Sequence, residues 1–153
     1  MTTIEHTVEI DAPLDDVWAL LEDVRRLPEF SPSTEAVLDA PQRLTAVGQR
    51  FRQLVKLLGR SFDSEWRVVD LRPKSTIAIE GSVGYGVGYC LTQEVAAMSR
   101  DRSRLTVKID YKLPFGPLGR VASKLGVESR ARDESRQVVE GIRRIVEDER
   151  RAA

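Results

Sequence analysis

Glu128, Arg132 and Ser135 carry the clearest chemical signal in the chain. They interrupt an otherwise apolar stripe that runs at alternating intervals of three and four, with Leu118, Val121 and Leu125 before them and Val139, Ile142 and Val146 after. A stripe of that period faces a core or a partner helix, so its polar centre requires water or a polar ligand. A carboxylate and a guanidinium four residues apart on one helical face can pair. Together they can offer hydrogen bonds to a carbonyl or hydroxyl on an otherwise apolar molecule. On that reading Arg132→Leu alters ligand affinity without unfolding the protein. The competing reading has the helix fray, bend or change face after Gly126 and leaves SRARDESRQ solvated, where such ion pairs are common and individually weak.

Trp66, Tyr89 and Tyr111 form a second candidate set, with Gln53 and Gln93 as polar points among apolar neighbours in the same strand patterns. The face of Tyr111 is the best defined, since Leu105, Val107, Ile109, Tyr111 and Leu113 alternate with polar residues. Its hydroxyl, once buried, needs a partner. Aromatic residues in a sheet serve more often as core than as binding site. His6 is the only histidine and Cys90 the only cysteine. A disulfide needs two cysteines and zinc sites need Cys/His spacings that are absent, so no metal or cofactor is expected. A Ser-His-Asp or Cys-His mechanism would have to use His6, which reads instead as a core or edge histidine with a satisfied ring. No catalytic residue is assigned. Gly81, Gly84, Gly86 and Gly88 lead into a strand and not a helix, so they read as a hairpin turn and flexible sheet edge rather than a phosphate loop.

Charge and length narrow the partners. Lys plus Arg and Asp plus Glu are both 24, which removes any global attraction to nucleic acid or anionic membrane. No apolar run approaches the ~20 residues that span a bilayer, and the N-terminus lacks a basic region followed by an apolar one. The expectation is a cytoplasmic protein whose 153 residues make one domain. A homodimer is left open.

These residues need elements to position them. Ile4, His6, Val8 and Ile10 alternate with polar residues as in a half-buried strand. Asp11-Ala12-Pro13 then stops the strand and starts a helix that buries Leu14, Val17, Leu21 and Val24 beside Trp18 and Leu20. A second short helical turn precedes Pro28 and Pro32. Strands are predicted over about 34 to 39, 48 to 58, 61 to 71, 75 to 82, 86 to 97 and 103 to 113, and their short connections imply antiparallel neighbours. Leu113-Pro114-Phe115-Gly116-Pro117 breaks the last strand and opens a long helix that runs to about Glu149. The economical packing is an α+β fold in which a curved antiparallel sheet wraps around that final helix.

Several segments carry a family resemblance over essentially the whole length. They are Val8-Glu9-Ile10-Asp11-Ala12-Pro13, Val17-Trp18-Ala19-Leu20-Leu21-Glu22-Asp23, Leu27-Pro28-Glu29-Phe30, Ser103-Arg104-Leu105-Thr106-Val107, and Leu113-Pro114-Phe115-Gly116-Pro117-Leu118-Gly119. The chain resembles the START-like, Bet v 1-like (SRPBCC) superfamily, and within it the polyketide cyclase/dehydrase and lipid transport group. The resemblance implies a helix-grip fold: six to seven antiparallel strands around a long C-terminal helix, two short helices after the first strand, and a hydrophobic cavity between sheet and helix. It implies a small hydrophobic ligand such as a lipid, polyketide, terpenoid or quinone. Members also include cyclases and co-chaperones, because one fold hosts many functions. A polyketide aromatase, cyclase or dehydratase using the same cavity, with Arg132, Glu128 and Tyr111 as its acid or base, is therefore the first alternative. A protein-interaction module with a poorly formed cavity and an exposed apolar patch is the second.

Overall fold

Strand β1 (Thr2–Ile10) buries Ile4, Val8 and Ile10 on one face, as its alternation requires. A computed structural model of the chain describes residues 2–84, 86–113, 116, 117, 120 and 126–153. Pro13 occupies the N-cap of α1 (Leu14–Glu22), Asp15 and Asp16 lie in its positive first turn, and Val17, Trp18, Leu20 and Leu21 are buried. A six-residue 3-10 helix follows over Val24–Glu29 and runs through Pro28 instead of stopping before it. The remaining strands are β2 (Thr34–Asp39), β3 (Arg50–Leu57), β4 (Arg60–Arg72), β5 (Thr76–Val83), β6 (Val87–Ala97) and β7 (Ser103–Lys112). All pair antiparallel in the order β1-β7-β6-β5-β4-β3-β2, so β1 closes against the last strand of a meander.

One face of this curved sheet holds the core. Phe51, Val68, Ile77, Val87, Leu105 and Val107 are almost wholly buried there, together with Ile142 of the C-terminal helix. The other face carries exposed cross-strand ion pairs, among them Arg50–Glu65, Arg52–Asp63, Arg67–Glu80 and Lys108–Glu94. Exposed pairs of this kind add little stability, yet they keep that face wet. His6 shares the inner face of β1, but its buried Nε2 has no hydrogen-bond partner among the described residues, contrary to the expected satisfied ring.

The C-terminal helix, α2 (Val127–Ala152), packs mainly on β1, with further contact to β7 and α1. At 1.5 Å per residue its 26 residues extend about 39 Å. Its start differs from the single helix expected from Pro117. Gly126 adopts φ +77°, a left-handed conformation that a continuous right-handed helix excludes, so the helical run begins anew there. Leu118, Val121 and Leu125 of the expected stripe, Pro114 and Phe115 of the expected break, and Tyr85 of the expected turn lie outside the described residues. Among the described residues no helix is long and apolar enough to cross a membrane.

Two arginine clusters tie the C-terminal end of α2 to its neighbours. Arg26 of the 3-10 helix bonds both Glu29 and Glu149, and holds both carboxyls below the usual glutamate range through those hydrogen bonds. Arg150 donates to the Asp11 carbonyl at 2.9 Å and to Asp101 Oδ1 at 3.0 Å. Both contacts anchor the C-terminal half of the helix to the α1 end of the sheet.

Candidate ligand-binding site

The N-terminal half of α2 stands away from the sheet over a cavity of about 520 Å³. Its floor is the concave face of β3 to β7, where Gln53, Val55, Trp66, Ile79, Leu91 and Ile109 project inward. Ala131, Glu134 and Val138 of α2 form the roof, and Leu27 with the chain from Ser31 to Thr34 forms one side. Exposed Lys56 and Gly59 face exposed Arg130, Asp133 and Gln137 at the solvent edge, so the mouth lies between the β3–β4 turn and the start of α2. That turn is tight: Leu58 (φ +52°) and Gly59 (φ +81°) both take left-handed conformations, as a two-residue hairpin requires. For a leucine this conformation costs roughly 1 kcal/mol. Its side chain nevertheless lines the cavity.

The aromatic wall is one continuous row across the sheet. The register pairs Phe51 with Trp66, Trp66 with Gly81, Gly81 with Tyr89, and Tyr89 with Tyr111. Trp66 and Tyr89 stack at 6.4 Å between ring centroids and 28° between planes, and Tyr89 lies 6.4 Å from Tyr111. The two rings reach each other over Gly81, where an added Cβ would lie 2.4 Å from the Trp66 ring. Gly84 is likewise overlaid by Phe62, with its hypothetical Cβ 2.0 Å from that ring. Gly81, expected in a turn or flexible edge, lies within β5 against the Trp66 ring, whereas Gly84 stands in the expected turn after β5, against the ring of Phe62.

A polar wall faces the aromatic one. Thr34 Oγ1 donates to Gln53 Oε1 at 2.8 Å and lies 2.9 Å from Ser31 Oγ, which reaches Glu134 Oε1 at 3.5 Å. The backbone N–H of Ser33 donates to the same Glu134 oxygen at 2.9 Å. This carboxylate therefore pins α2 to the loop before β2. Trp66 Nε1 is satisfied by Ser64 Oγ at 2.8 Å, which in turn donates to the Gln53 carbonyl. The Gln53 Nε2 and the Tyr89 hydroxyl have no hydrogen-bond partner among the described residues, and both residues line the cavity.

The structure thus brings together Gln53, Trp66 and Tyr89 of the residues singled out in the sequence. Tyr111 is buried one step along the aromatic row, packed with Ile4 and Ala131 outside the cavity lining, and Gln93 is buried beyond Leu91. Ser135 is fully buried, and its hydroxyl is turned back to the Arg132 carbonyl at 3.0 Å. Glu128 and Arg132 do form the expected pair, at 3.1 Å, but with side chains 58% and 60% exposed and away from the cavity. The reason is the twist of the sheet. Near the C-terminus the inward positions are Val139, Ile142 and Val146, whereas over the cavity they are Ala131, Glu134 and Val138. On a helical projection at 100° per residue the inward direction rotates by roughly 80° between the two halves. A stripe extended backwards from the C-terminal half therefore ends in solvent. Glu134, Thr34 and Ser31 were not legible as site residues, because the turn around Pro32 reads only as a break. Among the described residues no group of three or more His, Cys, Asp or Glu side chains is placed to hold a metal ion.

The model of the family described as polyketide cyclase/dehydrase and lipid transport matches residues 1–147. The chain belongs to that family. The helix-grip, START-like fold of this family member is shared by solved structures. The Zhui aromatase/cyclase from Streptomyces sp. R1128 superposes with a TM-score of 0.70 at 21% identity, covering 94% of this chain and 95% of its own. A START superfamily protein from Mycobacterium smegmatis gives 0.69 at 16% identity, over 95% and 97%. The di-domain aromatase/cyclase BexL from the BE-7585A biosynthetic pathway gives 0.67 at 22% identity over 93% of this chain and 46% of BexL. No protein with a curated description matches in sequence.

In this family member the Tyr89 phenol is pushed up to about 12, first by burial, then by the charge of Glu134 and by Tyr111. The folded chain holds that proton more tightly than the unfolded one. The resulting stability is complete below the ordinary tyrosine value of 10.0 and is lost as pH rises from there towards about 12. Tyr89→Phe should therefore lose less stability than the parent protein across that window in melts taken at stepped pH. Parallel declines would refute the assignment.

Proposed function

We propose that this chain encloses one small hydrophobic molecule in the cavity between the sheet and α2. A volume of about 520 Å³ carries the reading, since pockets for small ligands occupy about 300–1,000 Å³. Apolar burial supplies affinity, at about 25 cal/mol per Å², and the few polar groups set orientation. A lipid, polyketide, terpenoid or quinone has the required size and apolar character. The interaction-module alternative finds less support: the cavity is well formed, and among the described residues the exposed large apolar side chains Leu38, Val47 and Met98 stand singly on three different segments.

Native mass spectrometry of gently purified protein tests this. The expected result is an adduct of small mass that disappears on denaturation, or uptake of an added hydrophobic probe with one-to-one stoichiometry. Neither adduct nor uptake would overturn the reading. Turnover of a model polyketide by the same preparation would add an aromatase, cyclase or dehydratase activity to it.

A further inference from the structure

The polar groups inside the cavity are unevenly distributed, and their chemistry restricts what can bind. Glu134 places a carboxylate against the apolar lining, with one oxygen committed to Ser33 N and Ser31 and the other accepting from no described residue. No cation lies within ion-pair distance of it among the described residues. The positive groups near the site, Lys56 and Arg130, are exposed at the mouth. An anion in the interior would therefore meet an unneutralised negative charge in a medium that screens it poorly. A neutral hydroxyl would meet a strong acceptor, since hydrogen bonds to a charged group are roughly twice as strong as neutral ones. Tyr89, near enough to feel that charge, and the uncommitted end of Gln53 line the same cavity, and the Trp66–Tyr89 stack offers a flat surface to a ring.

Resting on the binding reading above, we propose that the cavity selects a neutral, ring-bearing molecule whose hydroxyl donates to Glu134, and that the same carboxylate excludes acyl anions such as free fatty acids. Glu134 is then the residue that sets specificity. The acidic group keeps carboxylate-bearing amphiphiles out, although Lys56 and Arg130 stand at the mouth beside Asp133.

Three probes of one shape test this: hydroxypyrene, methoxypyrene and pyrene carboxylate, titrated near neutral pH against the parent protein and E134Q by fluorescence. In the parent protein hydroxypyrene should bind about tenfold more tightly than methoxypyrene, the value of one hydrogen bond to a charged acceptor, and pyrene carboxylate should bind weakest. In E134Q the amide oxygen still accepts from Ser33 N, the hydroxy-to-methoxy ratio should fall several-fold, and pyrene carboxylate should gain. Pyrene carboxylate matching hydroxypyrene in the parent protein, or an unchanged ratio in E134Q, would overturn the proposal while leaving the cavity as a binding site. Failure of all three to bind the parent protein would overturn the binding reading itself, and with it the proposal. E134D, which withdraws the carboxylate by one methylene, serves as the second variant should E134Q unfold. The ranking in the parent protein needs no variant.

Discussion

Gly81→Val should destabilise the protein by about 3 kcal/mol, at the upper end of the range for overpacking a filled core. For a chain of this size that is a fall of roughly 6–12 °C in melting temperature. A Cβ at position 81 would lie 2.4 Å from the indole of Trp66, which is only 7% exposed and has its ring nitrogen bonded to Ser64. Phe51 pairs with it on one side and Tyr89 is stacked on the other, so the ring can move only into the cavity that it lines. Valine must therefore displace the indole and break both the stack and the hydrogen bond. A double-mutant cycle separates this from a general strand effect. In a Trp66→Leu background the valine should cost at least 1 kcal/mol less, because the obstructing ring has gone. Equal costs in the two backgrounds would place the fault in the backbone of β5 instead.

Leu91→Trp should weaken binding of the pyrene probes by roughly 70-fold while leaving the melting temperature little changed. Leu91 is a half-buried side chain of β6 that projects into the cavity, so a larger group there grows into empty space. Keeping about 100 Å² of ligand surface out of contact, at ~25 cal/mol per Å², amounts to about 2.5 kcal/mol. All three probes should weaken together, whereas E134Q changes their ranking. Undiminished binding in Leu91→Trp would mean that the ligand sits elsewhere.

Much of the architecture was legible in the residues. The final strand was expected over about 103 to 113 and is Ser103–Lys112, because strict alternation on a half-buried strand leaves one choice of face. Pro13 and the two aspartates after it marked the start of α1 for equally local reasons. The beginning of α2 was less legible. Apolar spacing continues across Gly126, and only the left-handed backbone there shows that the helix starts afresh. Gly81 was misread for a related reason: a glycine in a strand pattern looks like a turn or an edge, while its use depends on a ring from the neighbouring strand.

The candidate site divides along the same line. By itself, the sequence determined the buried faces of the first and last strands, that Gln53, Trp66 and Tyr89 fall in strands, and that the chain resembles a helix-grip family. Each of these follows from period-two alternation or from local motifs. Tertiary structure alone decided that Glu134, and not Glu128 or Arg132, stands over the cavity, and that Ser31 and Thr34, from the start of β2 and the turn before it, join it from about a hundred positions away. The direction in which a helix faces its sheet turns with the twist of the strands beneath it. That twist is a collective property of seven paired strands, so no stripe read along a single helix contains it.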